Sequence, residues 1–246
     1  METVPVSIPT IEENVVKKIS VSLLALLLIS ASAAFAQQEG VYSANALGYI
    51  KKTVPPEGKL ACVTIPLHSL TDGTNVFGRT TLAQQLPAGS VVYFWNPDTQ
   101  GWSGGMKSTK GWSPAQSNRV VVAGEGIFLK SPAAQTTAIP ITFAGEVPSE
   151  ATLSRAVVGG NAIATVGNPY PSDFKFGTSS LASNAAAGSI VYFWNLETQG
   201  WSGGMKSTKG WSPAQSNRVV AATEAFFMRE AGSGLVWSPE KPYTWP

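Results

Sequence analysis

The sequence predicts an all-β protein made of two homologous antiparallel units, each a small β-sandwich or open barrel, packed together. Three observations lead there. A block of 23 residues, Thr99–Val121, recurs without a change at Thr198–Val220, an offset of 99 positions. A period of that size is one small domain rather than one turn of a solenoid. Short β-branched and aromatic runs alternate with turn clusters throughout. Only 13% of the residues are charged, while there are 24 Gly and 17 Pro, as expected of short strands joined by tight turns.

The first element is an export signal. Lys17-Lys18 precede an apolar run, Ile19–Ile29, and Ala34-Phe35-Ala36 supplies a small–x–small cleavage site ahead of Gln37. That run is too short to span a bilayer as a helix. The expected organisation is therefore a signal peptide over 1–36, a first β unit over 37–147 and a second over 148–246. No later segment is long and apolar enough to cross a membrane, so the exported protein is expected to be periplasmic, extracellular or peripherally attached to the cell surface.

In the first unit the patterning predicts strands near Ala46–Val54, Lys59–Pro66, Ser90–Asn96, Gly101–Lys107, Arg119–Lys130 and Thr137–Glu146. The second unit repeats the order near Ala162–Val166, Ser189–Asn195, Gly200–Lys206, Arg218–Arg229 and Gly234–Ser238. Thr80–Gln85 and Thr178–Asn184 each read as a short helical turn ahead of the central strand. Val91, Tyr93 and Trp95 alternate with Val92 and Phe94, so that strand is apolar on both faces. The turn Asn96–Gly101 follows, with Pro97 fixing φ, Asp98 favouring the turn and Gly101 taking a positive φ. Trp95 and Trp102 bracket it as a cross-strand pair, as Trp194 and Trp201 bracket Asn195–Gly200. Ser103–Asn118 and Ser202–Asn217 are poor in apolar residues and read as exposed loops. Without a long linker near Glu146–Ser149, the units should pack against each other.

The order Gly167-Asn168-Pro169-Tyr170-Pro171-Ser172, then Val191-Tyr192-Phe193-Trp194-Asn195, then Glu224-Ala225-Phe226-Phe227-Met228-Arg229 resembles a family of secreted bacterial proteins built from two β-rich units. Gly124–Lys130 and the opening Gly48-Tyr49-Ile50 segment extend the likeness into the first unit. There Ile65-Pro66-Leu67-His68 stands in place of the Asn-Pro-Tyr-Pro form. The resemblance implies an exported β module without assigned catalysis.

The inventory of reactive groups argues against an enzyme. His68 is the only histidine, and no Gly-x-Ser-x-Gly elbow accompanies it. No cluster has metal-ligand spacing, no phosphate loop occurs, and no cofactor is expected. A glycoside hydrolase, a distant third reading, would need two carboxylates, and Asp98 and Glu125 are the candidates. Cys62 lies inside an apolar run and reads as a buried small residue, without a disulfide partner. A net charge of +2 is too mild for a nucleic-acid partner.

Binding chemistry is better represented, in the duplicated loops. The candidate ligand-binding set is Trp102, Lys107, Lys110, Trp112, Gln116 and Arg119, with Trp201, Lys206, Lys209, Trp211, Gln215 and Arg218 in the second copy. Aromatic faces stack on sugar rings, while amides and cations hydrogen-bond hydroxyls or carboxylates. Two copies would add avidity on a repetitive chain. The leading expectation is a non-enzymatic surface module that binds a polysaccharide weakly, neutral or anionic. The alternative is a structural or adhesive envelope protein engaged in protein–protein contacts, in which these tryptophans merely close a thin core.

Overall fold

The computed structural model describes residues 46–71 and 73–244; the predicted signal peptide lies outside them. The first half of the chain runs β1 (Leu47–Val54), β2 (Leu60–Thr64), α1 (Thr81–Gln85), β3 (Val91–Asn96), β4 (Gly101–Met106), α2 (Pro114–Ser117), β5 (Gly126–Lys130) and β6 (Ile139–Glu146). The second runs β7 (Arg155–Val158), β8 (Ile163–Gly167), β9 (Phe174–Lys175), α3 (Ser180–Asn184), β10 (Ile190–Asn195), β11 (Gly200–Met205), α4 (Pro213–Ser216), β12 (Val219–Val220), β13 (Ala225–Arg229) and β14 (Gly234–Trp237). The all-β expectation holds, and α1 and α3 fall where short helical turns were expected, whereas α2 and α4 form inside stretches read as loops.

Each half is built on a four-stranded antiparallel sheet, ordered β2-β5-β3-β4 in one and β11-β10-β13-β8 in the other. Alternation along the strands gives each sheet two apolar faces. One face of the first sheet (Ala61, Val63, Val92, Phe94, Ile127 and Leu129) is buried with Phe77, Leu82 and Leu86 from around α1 and with Val54, Ile141 and Phe143 of the β1–β6 ribbon. The second half buries Ala164, Val166, Val191, Phe193, Phe226 and Met228 with Phe176, Leu181 and Trp237 in the same way. Thr80 and Ser179 start the helices by accepting the N–H of Ala83 and Ala182, which satisfies donors that a helix start leaves open.

The opposite faces of the two sheets meet each other. Phe128 and Phe227 stack 5.9 Å apart across the junction, and Cys62 and Ala225 are buried beside them. Neither sheet closes on itself, so each half relies on the other to cover one of its faces, and the described residues belong to a single compact unit. The seam needs close backbone approach: a Cβ on Gly126 would lie 2.7 Å from Ala225 Cβ, and one on Gly167 would lie 2.6 Å from Thr64 Cβ.

Two strands escaped the sequence pattern. Arg155–Val158 pairs with β14, and the two-residue Phe174–Lys175 pairs with β12. Conversely, the long strand expected over Arg119–Lys130 is regular only from Gly126, because Arg119 and Glu125 are drawn into a tight ion-paired loop at 2.6 Å. The turn chemistry also differs. Asn96 Oδ1 accepts the N–H of Asp98 and Thr99, and the left-handed position is Gln100, φ 52°, rather than Gly101. Asn195 and Gln199 repeat this arrangement.

Candidate aromatic groove

The geometry starts with the β3–β4 hairpin. Its register sets Trp95 opposite Trp102, and the rings meet edge to face at 5.0 Å. The β10–β11 hairpin sets Trp194 opposite Trp201 at 4.9 Å. One step along, Tyr93 lies opposite Gly104, where any side chain would strike Val92 O. The glycine therefore leaves the Tyr93 ring free on that face, 6.2 Å from Trp102.

Each hairpin tip holds the edge strand of the other half. Trp95 Nε1 donates to Ile163 O at 2.7 Å, while the Gln100 amide donates to Ile163 O and accepts from Ile163 N. Reciprocally, Trp194 Nε1 donates to Leu60 O at 3.0 Å, and the Gln199 amide both donates to Leu60 O and accepts from Leu60 N. A side-chain amide thus pairs with an edge strand as another strand would. These paired bonds anchor the left-handed glutamines, a conformation that costs an L-residue about 1–2 kcal/mol.

Between the clamps lie two pockets, of about 270 Å³ and 450 Å³. The smaller is lined by Trp95, Trp102, Ile163, Tyr192, Trp201 and Phe227. The larger is lined by the counterpart of each, namely Trp194, Trp201, Leu60, Tyr93, Trp102 and Phe128, together with Lys130. Trp102 and Trp201 belong to both, so the pockets form one groove. The two indoles are 49% and 46% exposed, yet each is held by edge or tilted contacts with both Phe128 and Phe227 at 5.2–5.7 Å. Held, half-exposed indoles supply aromatic surface for flat apolar groups. No carboxylate lines either pocket among the described residues.

The rest of the predicted set is placed elsewhere. Lys107 Nζ donates to the carbonyls of Ala83, Gln84 and Leu86 at the end of α1. Burial draws its pKa down, while the three carbonyls favour the ammonium form. Lys206 does the same for Ala182, Ser183 and Ala185. Trp112 packs edge-on against Phe77 at 5.1 Å and donates to Ala83 O, and Trp211 repeats this with Phe176 and Ala182 O. Gln116 and Gln215 lie over Gly105 and Gly204, where a Cβ would come within 2.9 Å of the amide. Arg119 pairs with Glu125 and lies 5.0 Å from the Phe94 ring, as Arg218 pairs with Glu224 beside Phe193. Lys110 and Lys209 are exposed. Of the twelve predicted residues, the structure brings together Trp102 and Trp201.

The groove residues outside the predicted set are Trp95, Trp194, Tyr93, Tyr192, Phe128, Phe227 and Lys130, along with the edges of β2 and β8. Their signal was present: strands apolar on both faces in both copies. The two candidate carboxylates are placed far apart in role. Glu125 is bound to Arg119 and accepts Val122 N, and Asp98 sits in the exposed hairpin turn. His68 Nδ1 lies 3.7 Å from Glu150, and no metal-holding cluster occurs among the described residues.

Searches against family models, curated proteins and solved structures return no match to this chain.

Proposed function

We propose that this chain is an exported, non-enzymatic binding module whose ligand surface is the paired aromatic groove, with a polysaccharide chain as ligand. The observation that carries this reading is the placement of Trp102 and Trp201. Two half-open indoles at the centre of two equivalent pockets offer a repetitive chain two stacking positions in one groove. Lys130 lines one pocket, and Arg229 stands beside Ile163 at the equivalent register position of the other sheet. With no facing carboxylate, an acidic polysaccharide is favoured over a neutral one. Export rests on the sequence of residues 1–36.

A second reading has its own observation. Met106 and Met205, 63% and 59% exposed, project from the same sheet faces as the indoles, and exposed Met with aromatics is also the make-up of protein-docking surfaces. A glycan array probed with residues 37–246 and with the Trp102→Ala/Trp201→Ala variant separates the two. Stacking contributes about 1–3 kcal/mol per aromatic, by analogy with nucleobase stacking, so the double variant should bind glycans more weakly by roughly 5- to 150-fold for each indole removed, with its β spectrum intact. Wild-type silence across acidic and neutral glycans would favour the protein-contact reading.

A further inference from the structure

We propose that the seam face of each half is a recognition surface matched to the unlike half and closed to a copy of itself. Through this face a first half pairs only with a second half, whether from the same chain or from another copy.

Most of the seam is common to both halves and makes no such choice. The Gln100 clamp on Ile163 is the Gln199 clamp on Leu60. Thr64 N donates to Thr223 O at 3.0 Å, as Gly167 N donates to Gly124 O at 2.9 Å. Phe128 stacks on Phe227, its own counterpart. Backbone bonds and ring contacts of this kind would form as well between two first halves or between two second halves.

Two positions break the equivalence. Thr64 lies opposite Gly126 in the first sheet, and Gly167 lies opposite Ala225 in the second. Across the seam each residue meets its own counterpart. A Cβ on Gly126 would lie 2.7 Å from Ala225 Cβ, and one on Gly167 would lie 2.6 Å from Thr64 Cβ and 2.7 Å from its Cγ2. Carbon atoms pack at about 3.5–4.0 Å. Two second halves would therefore set Ala225 against its own copy, and two first halves would set Thr64 against its own copy, each in a clash. Neither glycine has a positive φ, so these positions need space rather than an unusual backbone. Rejection by clash is a specificity device. Like pairing would leave each copy's other half uncovered and open to the next molecule, building an unclosed array. Unlike pairing within one chain covers both faces and stops there.

The chain 37–246 supplies the test, because Gly167→Thr recreates the like–like contact inside one molecule. That variant should lose roughly 1 M in urea midpoint. Thr64→Gly/Gly167→Thr, which exchanges the two residues, should regain most of the loss. A single variant as stable as wild type overturns the proposal, as does an exchanged variant that recovers nothing. Partner choice is read on the same chain carrying a protease site within 147–154, cut after folding, unfolded in urea and refolded. Native mass spectrometry should find first halves paired with second halves, and pairs of second halves only when Ala225→Gly is introduced. Like pairs in the unsubstituted cut chain overturn the proposal.

Discussion

At the scale of single residues, the identical block is explained by what its side chains hold. Lys107 closes the end of α1 with three carbonyl contacts, a place where a cation is favoured and an open carbonyl is costly. Lys107→Met should lower unfolding free energy by about 1–3 kcal/mol, read from denaturant melts, and leave glycan binding as it is. None of this is legible in the sequence, because the partners are backbone carbonyls more than twenty positions upstream with no side-chain signature. Cys62 was legible, since an apolar run marks burial. Burial, and secondarily Glu224, pushes its thiol pKa well up. The unfolded chain then releases this proton near pH 8.5 while the native state keeps it. Stability present below that pH should fall as pH rises above it, and Cys62→Ala should remove that component of the slope. Native protein should also resist a thiol-alkylating reagent until it is unfolded.

At the scale of elements, the hairpins were the readable part. Alternation in Val91–Trp95 fixed the strand, and the flanking tryptophans fixed its register. The turn was read for the wrong reason: Pro97 is replaced by Leu196 and Asp98 by Glu197 without a change of shape, because Asn96 and Asn195 organise the loop. The left-handed glutamines make a graded prediction. Gln100→Gly keeps the backbone relaxed but loses the bonds to Ile163, and Gln100→Ala loses the bonds and keeps the strain. Denaturant melts should rank Gly above Ala, with the Ala variant down by about 1–3 kcal/mol from the two lost bonds and the Gly variant recovering about 1–2 kcal/mol of that as relieved strain. Arg155–Val158 went unread as a strand because four residues between turns carry too little alternation to register.

At the scale of the molecule, the two sheets complete each other, which the 99-residue offset suggested only as packing. Phe128 and Phe227 lie under both exposed indoles, so groove and seam are one structure. Phe128→Ala should remove about 3–5 kcal/mol of stability and weaken groove binding together, whereas Trp102→Ala should act mainly on binding. Calorimetry should show one cooperative transition for residues 37–246 rather than two. The glutamine clamps carry a further consequence, in time rather than in energy. Leu60 and Gln199 are 139 residues apart in the chain, and Trp95 reaches Ile163 across 68. A nascent first half therefore waits, with Phe128 uncovered and the β2 edge unpaired, until almost the whole chain has emerged. Contacts of such separation make folding slow. Under the proposed export, a chain whose closing contacts span such separations would remain threadable until late in its synthesis.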